Sequence, residues 1–345
     1  MSKSWIVNPG FNFVSKVAVV GRFLESDYKM AIREAEIPLN FKSNLEPTAR
    51  RFVIVGAKSV PMATAKSVFL CLRLAGAESI VVKTATEDEG LLVKNVLDNW
   101  TPEGVETKIF SIGSDRLRDY PEWKEAVDQS TDIVVFGGED TVDSFMELES
   151  KDRRIHVHGP KFSFGIVNVA DLTLTRMRDI CSDFGTFYGE GCLSPRFYVI
   201  VGESDHDWLG QASMIMTAEH GYNIEEFRHK LPMARKSRLV QDLVSSNMAY
   251  KYVREETLED NKVLTDLYGD ARFVMVKDLK ELWPFLDRWQ NRISSVATLD
   301  YDEEINLLLD RFRITRSCDF GMMQFPGFYE KFDTTDDFDI YGAEE

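Results

Sequence analysis

Along the first half of this chain, short uninterrupted apolar runs alternate with segments of helical period. The run RFVIV opens residues 51–61 and breaks at Gly56, as a buried strand entering a loop does. Residues 63–77, ATAKSVFLCLRLAGA, read as a helix with Gly76 near its end. The pair of signals returns as SIVVKTA (79–85) and EGLLVKNVLDNW (89–100), then as ETKIFSIG (106–113) and EWKEAVDQ (122–129). It returns once more as TDIVVFGGED (131–140) and DTVDSFMELE (140–149). Strands that are apolar on both faces, each followed by a helix, predict a parallel sheet covered by helices: an α/β domain of nucleotide-binding type.

On either side the pattern changes. Residues 27–37, DYKMAIREAEI, read as an amphipathic lead-in helix. A second unit opens near RRIHVHGPKFSFGIVNVADLTLT (153–175), followed by a helix, LTRMRDICSDFGTF, and a glycine-flanked turn, GEGCLSPR, that enters the strand Phe197–Val201. After residue 205 the segments are mainly helical, as at 233–255 and 278–291, with short strands such as ARFVMV (271–276). The last 14 residues, from Phe332, contain six acids and no Lys or Arg, and read as a solvated tail.

Composition narrows the function classes. A length of 345 residues calls for two domains. A net charge of −16 repels phosphate backbones and argues against nucleic-acid and anionic-membrane binding. There is no run of about 18 apolar residues, so no membrane span is expected, and the opening residues MSKSWIVNPGFNFVSKVAVV lack a secretory core. Cys71, Cys181, Cys192 and Cys318 lie far apart with no CxxC, which is neither a disulfide framework nor a zinc site. A cytoplasmic enzyme with reduced thiols fits these features.

Cys192 is the first chemical candidate. A nucleophilic cysteine needs access and a stabilised thiolate, and Gly189 and Gly191 supply a permissive backbone whose N–H groups can face a developing oxyanion. The local sequence fits a small apolar residue near a turn as well. Cys71 and Cys181 lie in helical runs and read as core; Cys318 sits near another glycine turn and competes weakly. Gly137-Gly138, between the fourth strand and its helix, lets a helix start approach a phosphate or ribose, although no GxGxxG is present. Lys83 ends the second strand, where ligands bind in open α/β sheets; a cofactor contact and a solvated surface lysine are both open. His156 and His158 alternate and share one strand face, which suits a general acid–base role for one of them or plain hydrogen bonding; with no third ligand nearby, no metal is expected. There is no GxSxG, HExxH or Walker loop.

The order of these pieces carries more than each alone. VGAKSVP after the first strand, VVKTATE after the second, VFGGEDTV after the fourth, HGPKFSFGIVNVADL and GEGCLSPR resemble the aldehyde dehydrogenase superfamily. Within it the chain is similar to the LuxC-type acyl-CoA reductases, the fatty acid reductases, from about residue 50 to 342 and with a shorter N-terminal region; RITRSCDFGMMQFPGFYEKFD resembles that family's C-terminal part. The resemblance implies a dinucleotide-binding domain over 1–155 with a lead-in at 1–50, a catalytic domain over 156–315 carrying the cysteine turn, and a C-terminal segment over 316–345. It implies that Cys192 attacks a thioester carbonyl and holds the acyl group, that Lys83 and the Gly137-Gly138-Glu139 turn hold the dinucleotide, and that NADPH is the reductant. Thr86 stands where NAD-preferring relatives carry Glu, so a 2′-phosphate meets no like charge there.

Two departures bear on activity. The first-turn Asn that helps stabilise the oxyanion in the superfamily is matched by Ser59, and losing such a donor costs about 10²–10³ in rate. The carboxylate that activates water in hydrolytic members has no counterpart in HVHGPK, which suits an enzyme that reduces its acyl-cysteine, with His158 as the acid–base candidate, and equally suits a degenerate site. The expected function is NADPH-dependent reduction of an acyl thioester, on CoA or an acyl carrier, to an aldehyde. The alternatives are a non-catalytic binding or assembly subunit and an acyl-phosphate reductase, for which Arg196 is a lone phosphate candidate. An acyl-protein synthetase or thioesterase is the implied partner, and a homo-oligomer the implied state. The apolar segments 208–217 and 243–265 read as helical core or as the lining of an acyl tunnel.

Overall fold

The apolar runs pair into two parallel sheets. The computed structural model describes residues 49–57, 61–73, 75–84, 87–111, 120–189, 191, 193–203, 207–220, 253–256, 271–299, 302–324 and 340–341. By its contacts the chain divides into one unit of residues 1–160 with 326–345 and a second of residues 161–325.

In the first unit β1 (Arg51–Val55), β2 (Ser79–Lys83), β3 (Glu106–Phe110), β4 (Asp132–Phe136) and β5 (Arg154–His158) form a five-stranded sheet in the order β3-β2-β1-β4-β5. Helices α1 (Pro61–Arg73), α2 (Glu87–Trp100), α3 (Pro121–Gln129) and α4 (Glu139–Met146) make the crossovers that parallel strands require. Val53 lies opposite Val81 on one side and Ile133 on the other. On one face Val53, Val55, Ile133 and Val135 pack with Phe110, Trp123 and Val127. Phe52 and Ile54 point the other way and are equally buried. That is why β1 is apolar at every position from Phe52 onward. Glu106, Thr107 and Lys108 are exposed, as an edge strand allows.

Two readings change here. The strand carrying His156 and His158 pairs with β4 and closes the first sheet, so the second unit begins after it, at Lys161. The acidic tail does not run wholly in solvent. Ile340 and Tyr341 are buried, the Tyr341 ring stands 6.1 Å from Phe52, and Arg50 donates to the Ile340 carbonyl at 2.7 Å. Two apolar residues inside an acidic run are enough to dock once a partly buried arginine offers the backbone a partner. The lead-in helix at 27–37 lies outside the described residues.

The second unit holds a six-stranded sheet, β11-β10-β6-β7-β9-β8, again parallel throughout. Its strands are β6 (Phe162–Asn168), β7 (Pro195–Val201), β8 (Val253–Glu256), β9 (Ala271–Val276), β10 (Ile293–Ala297) and β11 (Arg316–Cys318). Alternate residues feed two cores. Phe164, Phe197 and Val199 join Phe285 on one face, with the Phe164 and Phe197 rings stacked at 5.4 Å. Val167, Tyr198 and Ile200 join Phe184 and Phe273 on the other. Helix α5 (Leu174–Gly185) is capped by Thr173, whose side chain accepts from the Arg176 N–H, and α6 (Asp207–His220) packs against it. Helices α7 (Trp283–Trp289) and α8 (Glu303–Arg311) complete the described helices of this unit.

Segment 208–217 falls in α6, where Trp208, Ala212, Ile215 and Met216 are buried in the second core, so it serves as helical core. The helix read over 233–255 lies outside the described residues as far as 252, and its end is strand: Val253–Glu256 pairs with β9. A backbone ladder supplied by a neighbouring strand overrides local helical propensity. Among the described residues no helix is long and apolar enough to cross a membrane.

Gly165 in β6 tests the tightness of this packing. A Cβ there would overlap the ring of the fully buried Tyr198. Gly165→Ala should destabilise the protein by about 1–3 kcal/mol, the usual cost of overpacking a core. A drop in the urea midpoint with an unchanged m value would register it, and an unchanged midpoint would refute it.

Candidate active site

The order of the first sheet reverses between β1 and β4: from β1 the chain proceeds to β2 on one side, and β4 leads to β5 on the other. Neighbouring strands whose crossovers leave in opposite directions open a crevice at their carboxyl ends, where open α/β sheets bind ligands. Lys83 ends β2 there and is 7 % exposed. The Gly56 N–H donates to the Lys83 carbonyl at 2.8 Å, tying the ends of β1 and β2. Behind them the Ala57 N–H donates to Thr64 Oγ1 at 2.8 Å, and Thr64 Oγ1 donates to Glu89 Oε1 at 2.5 Å. Thr84 shares a hydrogen bond with Ser111 at 2.9 Å. Thr64, Thr84 and Glu89 are fully buried. Reading the sequence located Lys83 and missed this polar support. Thr64 and Glu89 are 25 residues apart on different helices, and no local pattern pairs them.

At the end of β4 the Gly137 N–H donates to the His158 carbonyl at 3.3 Å. Gly138 starts α4, and its carbonyl accepts from the N–H groups of Thr141 and Val142 at 3.1 and 3.0 Å. A Cβ at Gly138 would meet nothing within 4 Å, so the approach to this turn is open on the described side. Glu139 and Asp140 occupy the first turn of α4 and are exposed. Their charge complements the positive end of the helix and opposes a phosphate there, so the turn suits ribose hydroxyls better than a phosphate group.

The two histidines share the predicted face but differ in surroundings. His156 Nε2 lies 3.1 Å from Asp132 Oδ1. His158 is buried, its ring stacked on Phe136 at 4.6 Å and 11°. Among the described residues no group of three or more His, Cys, Asp or Glu could hold a metal ion. Thus Lys83, Gly137, Gly138, Glu139 and His158 all lie along the carboxyl edge of one sheet. Ser59, Thr86 and Cys192 lie outside the described residues.

The neighbours of Cys192 in the chain are described. Thr186–Gly189 is a 3-10 turn ending at Gly189 with φ of 67°, a backbone conformation that favours glycine. The Ser194 N–H then donates to the Gly191 carbonyl at 3.0 Å, which closes the turn ahead of β7. Leu193 and Ser194 are buried and anchor the far side of this turn at the start of β7, where Pro195 pairs with Ser163. The other three cysteines are buried. Burial pushes the Cys71 thiol well up, against the charge of Arg50. Cys181 Sγ faces the Ala212 carbonyl at 3.8 Å inside the core, and Cys318 is held in β11. None of these three can meet a bulky acyl donor from solvent without unfolding its surroundings. Arg196 is half-buried in β7.

Comparison with known proteins agrees with this architecture. The family model described as acyl-CoA reductase (LuxC) matches residues 110–296. Solved structures of similar fold include succinic semialdehyde dehydrogenase from Streptococcus pyogenes in complex with NADP+, with a TM-score of 0.65 at 11% identity over 92% of this chain and 79% of that one. A cysteine-to-alanine mutant of propionaldehyde dehydrogenase from the Clostridium phytofermentans fucose utilisation microcompartment gives a TM-score of 0.63 at 11% identity, over 92% and 80%. Rhodopseudomonas palustris propionaldehyde dehydrogenase with bound CoA and an acylated cysteine gives 0.60 at 13% identity, over 92% and 80%. At these identities the likeness is one of fold, the aldehyde dehydrogenase fold. No curated protein sequence matches the chain.

Proposed function

This chain belongs to the LuxC family of acyl-CoA reductases, and from that premise we propose that it reduces an acyl thioester to the aldehyde through an acyl-cysteine formed on Cys192, with NADPH as reductant. The observation that carries the reading is the turn closed by Ser194 and Gly191. In the sequence Cys192 lies between these two residues, and the other three thiols are buried. The Cys192 thiolate attacks the thioester carbonyl, a C–S bond forms, and the carrier thiolate leaves and takes up a proton. The protein is left as an acyl thioester on Cys192. When bound, the reduced nicotinamide supplies a hydride to the acyl carbonyl. The resulting tetrahedral oxyanion collapses by breaking the Cys192 C–S bond, which releases the aldehyde and restores the thiolate.

The dinucleotide fits the carboxyl edge of the first sheet. The crevice between β1 and β4, the open approach at Gly138 and the Lys83 ammonium form a donor set suited to ribose and phosphate. In this reading Lys83 and the Gly137-Gly138-Glu139 turn hold it, Thr86 tolerates the 2′-phosphate, and Ser59 donates to the oxyanion in place of an amide. The ring of His158, packed on Phe136, fits a structural part better than a proton shuttle. An acyl-protein synthetase or thioesterase acting beside this protein would supply or consume its acyl groups.

The test is direct. Purified protein with a long-chain acyl-CoA should oxidise NADPH faster than NADH, releasing one free CoA thiol and one aldehyde per cofactor oxidised. If neither cofactor is oxidised or bound at millimolar concentration, the non-catalytic reading replaces this one.

A further inference from the structure

Two buried charges of the second unit, Asp183 and Arg316, converge on a single turn, and that turn leads into Gln324. Asp183, on α5, is 1 % exposed. Its carboxylate accepts from the Gly321 N–H at 2.8 Å, the Met323 N–H at 3.0 Å and the Tyr198 hydroxyl at 2.5 Å. Arg316, 2 % exposed on β11, grips the same turn from its carbonyl side. Its guanidinium donates to the Met323 carbonyl at 3.0 Å and the Met322 carbonyl at 2.9 Å. Burial pushes the Asp183 carboxyl up to about 7, against the hydrogen bonds from Tyr198, Gly321 and Met323 and the charge of Arg316. Sequestering a carboxylate and a guanidinium in a core costs several kcal/mol per ion before pairing. An apolar core would hold the unit together as well. What the charged arrangement adds is a fixed backbone for residues 321–323, held at two N–H groups and two carbonyls.

Gln324 follows that backbone directly. Its carboxamide lies against Gly191: a Cβ there would fall 2.5 Å from Oε1 and 2.8 Å from Nε2. Its Nε2 donates to Ser194 Oγ, and Ser194 is fully buried. One side chain therefore touches both Gly191 and Ser194, between which Cys192 lies in the sequence. Nothing in the sequence joins residues 191 and 324. Among the described residues, Asp183 and Arg316 hold the turn that precedes Gln324.

We propose that Gln324 is a positioning residue for acyl transfer. Its carboxamide holds the Gly191–Ser194 turn in the geometry that presents Cys192, and Asp183 and Arg316 hold Gln324. The inference rests on the reading of Cys192 as nucleophile. A misplacement of about 1 Å at a reacting atom costs on the order of 10²-fold in rate. Loosening this turn should therefore lower kcat and leave substrate and cofactor binding in place.

The experiment compares Gln324→Met, Gln324→Glu, Ser194→Ala and Cys192→Ala in the purified full-length protein, with NADPH and a long-chain acyl-CoA. Gln324→Met keeps the packing on Gly191 and removes the hydrogen bond. It should lower kcat by about tenfold to a hundredfold, with KM for acyl-CoA and Kd for NADPH within about twofold of wild type. It should also shift the pH profile of Cys192 alkylation by iodoacetamide. Gln324→Glu restores a partner, because the Ser194 hydroxyl can donate to the new carboxylate, and kcat should return to within about threefold of wild type. Ser194→Ala removes the bond from the other end and carries the same expectation as Gln324→Met should that variant fail to fold. Folded Gln324→Met or Ser194→Ala at wild-type kcat overturns the inference, as does Gln324→Glu as impaired as Gln324→Met. If Cys192→Ala is inactive in that case, only the role of Gln324 has failed. If Cys192→Ala is active, the nucleophile reading falls and takes this inference with it.

Discussion

Cys192→Ala should abolish acyl-CoA reduction, lowering the rate by about 10³-fold or more, while NADPH and acyl-CoA still bind with unchanged Kd. The reasoning is chemical. Without a thiolate no acyl group is held on the protein, and direct hydride attack on a free thioester forgoes both covalent capture and orientation. No neighbouring thiol can substitute. Cys71, Cys181 and Cys318 are buried in helix or strand, and burial holds the Cys71 thiol well above its usual range. Mass spectrometry of the intact protein after mixing with acyl-CoA and no cofactor should find one acyl adduct on the wild type and none on the variant. Equal turnover by wild type and variant would assign the chemistry to another group.

Asp132→Ala should cost about 3–5 kcal/mol of stability, the largest effect expected away from the cysteine turn. Asp132 is fully buried at the start of β4 and gathers partners from two other segments and from its neighbour Thr131. Arg50 donates to it through Nη2 at 2.7 Å and Nε at 3.1 Å, Arg154 through Nε at 3.1 Å, and Thr131 Oγ1 at 2.8 Å, with His156 Nε2 at 3.1 Å. Arg50 also carries the C-terminal Ile340 carbonyl, so the carboxylate indirectly fastens the tail. Truncation leaves the Arg50 guanidinium, nearly buried itself, without its carboxylate. Urea unfolding measures the loss, and a cycle with Arg50→Ala should return a coupling above about 1 kcal/mol. A change in midpoint worth less than about 1 kcal/mol would show that water replaces the carboxylate.

The same group sets a pH dependence. Burial alone would raise the Asp132 carboxyl, but the hydrogen bonds from His156 and Arg50, the Arg50 charge and Thr131 outweigh it and hold it well below the usual carboxylate range. A depressed value in the fold means that the folded state binds the proton less readily than the unfolded chain. The stabilisation is therefore complete above the ordinary value of 3.8 and is lost as pH falls below it. Wild-type stability should fall more steeply than that of Asp132→Ala as acid is added below that value.

The parallel sheet of the first unit was legible because its strands are buried on both faces, and such strands must be apolar at nearly every position. The helices between them followed from period and length. The second sheet was legible in part for the same reason, through FSFGIV and FYVIV. Strand β8, Val-Arg-Glu-Glu, was not legible, because a charged edge strand owes its conformation to the ladder with β9. The docking of Ile340 and Tyr341 was hidden inside an acidic run, since the partly buried arginine that receives it sits 290 residues away in sequence.

By itself the sequence determined the α/β class, the ordered glycine, lysine and cysteine turns, and the resemblance that the family match bears out. These rest on local period and on motifs a few residues long. The tertiary structure alone decided what supports those turns: Glu89 behind Gly56, Asp132 beneath β4 and β5, and the Asp183–Arg316 grip that delivers Gln324 to Gly191. Each pairs charged or polar groups from distant segments. A buried charge is tolerable only beside its partner, and which partner that is depends on how the chain folds back on itself, not on spacing along it.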